Sequence, residues 1–341
     1  MTLKPFSDEQ ARALVNLEQR YQVWMEAERI LAALPYDLRR KEVSGKAYLY
    51  EIRDRGGNGP SLGPWSAQNE ARFNEYRATK ASAKARRDAS DAVLQETCGI
   101  CRALRLPMLA SAAGPVLREA DRREMLGSDL LVVGTNAIPA YATEAGGFIA
   151  DAPDETDDFD LAWSARILNE TVPDPVWAML KAVDPTFTIN TERTFQARNA
   201  KAYEVELLVA PSRADTLPAL DRPRPVPLPE QEWLLMGRPV DRVVICRDAS
   251  PARIVAPDPR WFALQKLWMS AQAKRNSLKR PKDRKQGMAL LDAVWSAMPL
   301  YPLDDAFEAG LPPELKPFLD EWKTVRPERA VRVWTSGSDR A

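Results

Sequence analysis

The sequence of 341 residues contains no histidine, and this absence removes several kinds of chemistry. Catalytic triads of Ser, His and Asp, pairs of Cys and His, and metal sites with imidazole ligands all need that side chain. Any catalysis must therefore use carboxylates, Lys, Arg, Tyr, Ser or Cys. The sequence also has no apolar run near the roughly 20 residues of a membrane-spanning helix, and its first residues are polar. We therefore expect a soluble cytoplasmic protein without a membrane partner.

Cysteine is scarce as well, with three residues at positions 98, 101 and 246. An odd number is typical of a reducing compartment rather than of a disulfide framework. Cys98 and Cys101 have the C-x-x-C spacing of zinc and redox sites. However, no second pair follows, and the flanking residues predict one continuous helix instead of the strand and helix that a redox motif adjoins. We therefore interpret both as buried helix cysteines.

The chain has no net charge, because 48 Lys and Arg balance 48 Asp and Glu. The overall charge therefore predicts no partner, and only local clusters can do so. The length indicates about two domains, at roughly 150 residues each. Composition divides the chain into a mainly helical region 1–125 with a Gly-rich hairpin at 47–66, an α/β core at 126–256, and a helical region at 257–335.

Apolar residues at spacings of three and four predict helices, and short apolar or alternating runs predict strands. Helices are expected at 7–33, 67–105, 116–126 and 176–183, and in two segments that begin near Asp258 and Pro281. Strands are expected at 47–52, before Gly134, at TDDFDL, at 186–190 and 201–211, and at LLMG and DRVVICRD. The proline-rich residues 212–230 predict an extended connector without regular structure. The tail from Ser336 is expected to be disordered.

Two acidic residues alternate with apolar ones in the segment Asp158-Phe159-Asp160. Residues i and i+2 of a strand project to the same face, so these carboxylates converge. Glu206 follows the same alternation in a later strand and is a candidate for a third carboxylate of the site. Glu204 fits the same alternation equally well. Converging carboxylates form an oxygen site suited to Mg²⁺ or Mn²⁺. The alternative is a solvent-facing acidic strand.

Two further features favour phosphate binding. Gly134 and Thr135 lie between a predicted strand and a helix, where backbone N–H groups can face a phosphate; a plain tight turn is the alternative. Basic residues are concentrated near the C-terminal helices, where they can contact a triphosphate or a nucleic-acid backbone, or simply form a solvated helix face. They are Lys266, Lys274, Arg275, Lys279, Arg280, Lys282, Arg284 and Lys285.

The order of these motifs resembles the polymerase-β nucleotidyltransferase superfamily, whose pattern is hG[ST], a helix, hDhDh and a third acid on a later strand. The chain is similar over most of its length to a bacterial group of nucleotidyltransferase-like proteins of largely unassigned role. The similar segments include YLYEIRDRGGNGPSLGPWS, VVGTNAIPAY, TDDFDL, VELLVAP and FALQKLWMSAQ. The resemblance implies an α+β fold, with a nucleotidyltransferase-like mixed β-sheet core and helical N-terminal and C-terminal regions.

The resemblance also implies roles for individual residues. Asp158, Asp160 and Glu206 would be the catalytic metal ligands. The residues that would contact the triphosphate are Gly134, Thr135, Lys266, Arg280 and Lys282. The implied reaction moves a nucleoside monophosphate from a nucleoside triphosphate to an acceptor on RNA, a protein or a small molecule, and releases pyrophosphate.

Two departures from the family pattern support a second hypothesis. Relatives often carry histidine where this chain has Asn136 and Gln265, and Asp is commoner at the position of Glu206. A catalytically degenerate module that binds nucleic acid or a protein partner is therefore the alternative to an enzyme. A purely structural acidic strand is the third hypothesis.

Overall fold

The computed structural model describes residues 3–150, 158–168 and 171–328. Three acidic residues before Asp158, namely Asp154, Glu155 and Asp157, and the tail from Ser336 lie outside the described residues. No helix in the described part of the chain is both long and apolar enough to cross a membrane.

The N-terminal part is a long helical hairpin that carries a small antiparallel sheet. A capping box begins the first helix: the Ser7 hydroxyl accepts from the Gln10 backbone N–H at 3.2 Å, and the Gln10 side chain accepts from the Ser7 N–H at 2.9 Å. The second strand was not predicted, because the segment DLRRKEV is too polar to alternate clearly. The elements are β1 (Leu3–Pro5), α1 (Asp8–Ala33), β2 (Asp37–Val43), β3 (Lys46–Ile52), β4 (Ser61–Pro64) and α2 (Ala67–Ala103).

The middle of the chain alternates short strands and helices. The 3₁₀ turn Gly134–Ala137 joins a strand to a helix, so the Gly-Thr segment lies at the predicted kind of junction. The elements are β5 (Met108–Leu109), α3 (Ala113–Arg122), β6 (Leu130–Val132), α4 (Ile138–Glu144), β7 (Gly147–Ile149), β8 (Asp158–Trp163), α5 (Pro175–Val183), β9 (Thr188–Ile189), β10 (Gln196–Arg198) and β11 (Glu204–Val209).

The last part contains a strand pair and the C-terminal helices. The elements are β12 (Val226–Pro227), β13 (Val240–Cys246), β14 (Pro251–Ala256), α6 (Pro259–Ala271), α7 (Arg280–Ala297), α8 (Asp305–Ala309) and α9 (Lys316–Val325). The predicted strand at LLMG is wrong, since the 3₁₀ helix Pro229–Leu235 covers its first two residues and no strand covers the other two. The predicted connector is partly wrong, because 3₁₀ helix Pro211–Thr216 and strand β12 interrupt it. Pro at the first turn of both 3₁₀ helices sets their backbone angle without needing its missing N–H.

The central sheet is mixed and has six strands. Its order is β6-β8-β11-β10-β9, with β12 beside β11. Strands β8 and β11 are parallel, whereas β6 and β10 run antiparallel to their neighbours. Separate sheets are formed by β14-β13-β5, by β2-β3-β4 and by β1-β7. The predicted α+β fold with a mixed sheet is confirmed.

One face of the central sheet is packed in the hydrophobic core. Phe159 and Leu161 of β8 and Val205 and Leu207 of β11 are all at most 1% exposed. They belong to a hydrophobic cluster that also contains apolar residues of α3, α4, α5, α6 and α7. Because side chains alternate along a strand, the acidic residues between them must lie on the opposite face of the sheet.

The helical hairpin packs on β13 through a second apolar cluster. Tyr21 and Met25 of α1 meet Leu94 and Cys98 of α2, and Ile245 extends the cluster into β13. The cysteines at positions 98, 101 and 246 are buried and free. The interpretation of the C-x-x-C pair as buried helix cysteines is therefore confirmed, since both lie within α2.

Candidate active site

Strand register brings the acidic residues of two strands together. In the parallel pair β8 and β11, Asp160 lies opposite Glu206, and Asp158 lies opposite Glu204. Gln196 on β10 lies opposite Glu206 on the other side. These side chains share the sheet face that points away from the apolar core. The sequence pattern placed Asp158 and Asp160 on one face, and the register adds Glu206 beside Asp160.

The Asp160 carboxylate lies directly against the backbone of Gly134. A Cβ at position 134 would be 2.1 Å from Asp160 Oδ2, which is too short for any side chain. Gly134 also has a φ of +67°, in the left-handed region that favours glycine. The N–H of Val133 donates to the Asp160 carbonyl at 3.1 Å. Glycine is therefore required here for both backbone conformation and space.

The environment of Asp160 is unfavourable for a negative charge. Burial, together with the neighbouring charges of Asp158 and Glu206, raises the pKa of Asp160 to about 7. The nearby cations Lys266 and Lys279 act in the opposite direction. The shift indicates that the three carboxylates interact across a poorly solvated space.

The residues after Gly134 hold the turn in place. The Asn136 amide donates to the Asp158 carbonyl at 2.9 Å, which ties the turn to the start of β8. The Gln286 amide of α7 donates to the Thr135 hydroxyl at 3.3 Å. Thr135 and Asn136 are 7% and 3% exposed. The Thr135 side chain is therefore used inside the protein, while its contact with a triphosphate stays a prediction.

Lys279 forms an ion pair with the outer acid of the site. Its Nζ lies 3.1 Å from Asp158 Oδ2, and both side chains are partly exposed. The residue belongs to the segment between α6 and α7, so that segment contacts the acidic face through Lys279. Lys279 was recognised in the sequence as one member of a basic run, but nothing in the pattern distinguished it from its neighbours.

Lys266 reaches the site from α6 and is held by a buried aspartate. Its Nζ lies 3.0 Å from Asp283 Oδ1, and Arg275 Nε lies 2.7 Å from Asp283 Oδ2. Lys266 and Asp283 are 5% and 2% exposed. This bridge fixes α6, α7 and their connection to one another. Asp283 was not predicted from the sequence, where the available signal was an acidic residue inside the basic run RPKDRK.

The other two predicted phosphate-binding residues differ in their surroundings. Burial and the nearby charge of Lys266 lower the pKa of Lys282, an effect opposed by Asp158, so Lys282 is close to the acidic face. The Arg280 guanidinium instead donates to the carbonyls of Ala273 and Arg275 at 2.6 and 3.2 Å. Arg280 therefore braces the connection between α6 and α7, and phosphate contact stays a prediction for it.

The two glutamates of β11 have different partners. The Gln196 amide donates to Glu206 Oε1 at 3.1 Å and to Glu204 Oε2 at 2.7 Å. Glu204 also forms an ion pair with Arg198. Glu206 lies opposite Asp160 in the strand register, and its charge raises the pKa of Asp160. The geometry therefore favours Glu206 over Glu204 as the third acid of the site.

The three candidate acids lie on one face of the sheet, but they are not arranged as ligands of a single ion. They are Asp158, Asp160 and Glu206. Within the described ranges, no group of three or more Asp, Glu, Cys or His side chains is arranged to hold a metal. Asp158 is turned toward Lys279, and Glu206 is held by Gln196. The metal-binding role of the three acids therefore stays a prediction.

Comparison with known proteins gives two similarities. The sequence profile of a family described as nucleotidyltransferase matches residues 111–311, which is more than half of the chain. The chain is also similar to a solved structure, an antigenic nucleotidyltransferase-like protein from Paracoccidioides brasiliensis, at 16% sequence identity and a TM-score of 0.36. That similarity covers 64% of this chain and 91% of the other. No curated protein matches the sequence.

Proposed function

This chain belongs to the nucleotidyltransferase family, and from that premise we propose that it moves a nucleoside monophosphate from a nucleoside triphosphate to an acceptor, with release of pyrophosphate. The observation that carries the proposal is the register of β8 and β11, which places Glu206 opposite Asp160 beside Gly134. The acceptor would be a hydroxyl or phosphate group on RNA, a protein or a small molecule.

A divalent cation such as Mg²⁺ or Mn²⁺ fits the chemistry of this donor set. Mg²⁺ in proteins commonly uses one or two carboxylates and takes its remaining ligands from substrate phosphates and water. Asp158 and Asp160 would supply the carboxylates, and Glu206 would complete the acidic face. When bound, the cation would neutralise charge on the phosphates and lower the pKa of an attacking hydroxyl. A site without three preformed protein ligands is compatible with a cation that arrives with the nucleotide.

The basic side chains around the acids would bind the triphosphate. Lys266 is held in the core by Asp283, and Lys282 lies near Asp158, so both offer ammonium groups beside the acidic face. Lys279 would exchange its contact with Asp158 for a phosphate oxygen when a cation takes its place. Placing fixed positive groups where charge develops is the main way proteins accelerate phosphoryl transfer.

The experiment is a transfer assay with each of the four α-labelled nucleoside triphosphates in Mg²⁺ or Mn²⁺. Pyrophosphate release and labelled product are measured with the protein alone and with added mixed RNA. Asp158→Asn and Asp160→Asn should lower the rate at least about a hundredfold, since each removes a group needed in the transition state. Glu204→Gln is the matched control, because it removes a neighbouring carboxylate already paired with Arg198.

The control variant should retain a rate close to that of the unmodified protein. Pyrophosphate release that persists in Asp160→Asn would contradict the proposed site. Equal losses of rate in Asp160→Asn and Glu204→Gln would show that the reaction depends on the total negative charge of the sheet face and not on the position of Asp160.

One observation favours a second candidate, a nucleotidyltransferase fold that binds ligands without catalysis. Lys279 forms an ion pair with Asp158, so its ammonium group lies where an enzyme of this family would hold a metal cation. A degenerate site stabilised by lysine would still bind nucleotides, but without requiring a metal. Thermal stabilisation by a nucleoside triphosphate that is the same with Mg²⁺ and with EDTA, together with no pyrophosphate release, would support this candidate over the enzyme.

A further inference from the structure

The small sheet at the end of the helical hairpin has one packed face and one open face. Leu38 and Leu49 pack against Tyr76 of α2. Tyr48 and Tyr50 flank Leu49 on β3 and therefore project to the opposite side. Strand β2 places Lys41 opposite Tyr48 and Arg39 opposite Tyr50. We call this surface the outer sheet face and define it by Arg39, Lys41, Lys46, Tyr48 and Tyr50.

Charge is unevenly distributed along the chain, and the excess of positive charge falls on this region. Residues 36–87 contain twelve Lys and Arg but six Asp and Glu, whereas the whole chain contains 48 of each. The neutral total therefore hides a basic segment on an otherwise acidic protein. Positive charge concentrated in one place creates a local field that attracts polyanions.

The two tyrosines of the outer sheet face are placed to stack on flat rings. They are two residues apart on one strand, which separates them by about 7 Å, and both are partly exposed. Lys41 Nζ lies 5.0 Å from the centre of the Tyr50 ring, so a cation already adjoins that aromatic surface. Lys41 also donates to the Gly57 carbonyl at 3.3 Å, which ties the Gly-rich loop to the edge of the face.

Two further pairs of a cation and an aromatic ring lie on the other side of the small sheet, where Trp65 and Phe73 pack against the cluster of Leu38, Leu49 and Tyr76. The Arg40 guanidinium lies 5.0 Å from the Trp65 ring, and the Arg77 guanidinium lies 5.6 Å from the Phe73 ring. Arg72, Arg77 and Lys84 are exposed along α2. Positive charge therefore extends beyond the outer sheet face, and its combination with the partly exposed rings of Tyr48 and Tyr50 favours a ligand that has both phosphates and bases.

We propose that the outer sheet face binds single-stranded nucleic acid, with the phosphodiester backbone on Arg39, Lys41 and Lys46 and two bases stacked on Tyr48 and Tyr50. A single strand is favoured over a duplex because only unpaired bases expose their ring faces for stacking. The surface lies outside the residues 111–311 that match the family profile. The inference therefore does not depend on nucleotidyl transfer.

The experiment measures fluorescence anisotropy of a labelled 12-nucleotide single-stranded RNA, and of the same RNA as a duplex, with the full-length protein at 50 to 200 mM NaCl. The unmodified protein should bind the single strand more tightly than the duplex, and binding should weaken as salt rises. The triple variant R39E/K41E/K46E should bind at least tenfold more weakly. The slope of the logarithm of its association constant against the logarithm of the salt concentration should be shallower by about two, as the loss of three phosphate contacts predicts.

A second variant separates stacking from charge. Y48L/Y50L keeps every charge and an apolar side chain on the strand, so it should bind about tenfold or more weakly while keeping the salt dependence. The matched control is R12E/R102E/K316E, which makes the same change in net charge at exposed positions elsewhere. Thermal melts establish that each variant is folded. The Asp158→Asn variant should bind RNA like the unmodified protein, which separates loss of transfer from loss of binding.

Three results would overturn the inference. They are no binding of the single strand at 50 mM NaCl, equal weakening by the two triple variants, and unchanged affinity in a folded Y48L/Y50L variant. Equal weakening by the two triple variants would mean that RNA binding depends only on net charge. Unchanged affinity in Y48L/Y50L would mean that the tyrosines only stabilise the sheet as cross-strand pairs.

Discussion

Gly134 is the residue on which the position of Asp160 most directly depends. An alanine at 134 would combine a left-handed backbone angle with a Cβ placed 2.1 Å from Asp160 Oδ2. We expect Gly134→Ala to lower the free energy of unfolding by about 2 to 4 kcal/mol, because backbone strain and overpacking add. Urea denaturation measures the change.

Gly146→Ala is the matched control for that prediction. Gly146 has a similar φ of +62°, but nothing lies within 4 Å of its added Cβ. It should therefore show the backbone cost alone, about 1 to 2 kcal/mol. Equal destabilisation by the two variants would mean that Asp160 moves aside easily and is not held against the turn.

The cysteines illustrate how burial sets reactivity at single residues. Burial raises the pKa of Cys98 to about 12, and the pKa values of Cys101 and Cys246 to about 11. Because the folded values exceed the ordinary thiol value, their contribution to stability is full below pH 9 and is lost as the pH rises through 11 to 12. We expect none of the three to react with iodoacetamide at pH 8 in the native protein.

Mass spectrometry after labelling checks this expectation. In 6 M urea all three thiols should be alkylated at the same pH, which shows that the reagent is active. Rapid labelling of native Cys98 or Cys101 would contradict their placement in the helix core and would revive a redox role for the C-x-x-C pair.

At the scale of elements, the connection between α6 and α7 depends on Asp283. This side chain pairs with both Lys266 and Arg275, and its loss would leave a buried lysine without its anion. We expect Asp283→Ala to lower the free energy of unfolding by about 3 kcal/mol, which is typical for breaking a buried pair from one side. The variant should also weaken nucleotide binding, since Lys266 would lose its position.

Arg284→Ala provides the comparison for Asp283→Ala on the same helix. It breaks the pair with Glu321, in which both side chains are more than 40% exposed, and should cost less than about 1 kcal/mol. Chemical denaturation of both variants is the measurement. Similar costs would show that the Asp283 bridge is hydrated rather than buried.

The elements differ in how well sequence predicts them, for reasons of residue type. Ser7 with Gln10, and Asp258 before Pro259, are local capping signals, and α1 and α6 begin where these signals indicate. Strand β2 was missed because its stability comes from pairing with β3 rather than from its own pattern. The predicted strand at LLMG failed because a short apolar run suits a 3₁₀ helix equally well.

At the scale of the whole molecule, Asp121 joins three distant parts of the chain. It accepts hydrogen bonds from Tyr21 at 2.8 Å, Arg29 at 2.8 Å and Arg253 at 2.7 Å, and is 1% exposed. It therefore connects α1 to α3 and β14. We expect Asp121→Asn to cost about 3 kcal/mol, because two cations lose their buried anion. Hydrogen exchange should quicken in α1.

Asp241→Asn serves as the control for the Asp121 variant. Asp241 also pairs with Arg253, but its side chain is 50% exposed. Its replacement should cost less than about 1 kcal/mol and leave exchange in α1 unchanged. Faster exchange in α1 from both variants would indicate that the hairpin is weakly attached regardless of Asp121.

The site shows the same limit of sequence reasoning on a larger scale. Alternation placed Asp158 and Asp160 on one face, but the partner strand and its register come from tertiary packing. The choice between Glu204 and Glu206 likewise needed the family resemblance first and the register afterwards. The contacts of Lys279 and Asp283 could not be predicted, because only the folded connection between α6 and α7 distinguishes these two residues from the other charges of that segment.

The most direct measurement of the central claim is Mn²⁺ binding, followed by electron paramagnetic resonance, with and without a non-hydrolysable ATP analogue. We expect tight Mn²⁺ binding by the unmodified protein only when the analogue is present, loss of that binding in Asp160→Asn, and its retention in Glu204→Gln. Mn²⁺ binding with the analogue that is unchanged in Asp160→Asn would contradict the claim that the acidic face beside Gly134 is the metal-dependent site.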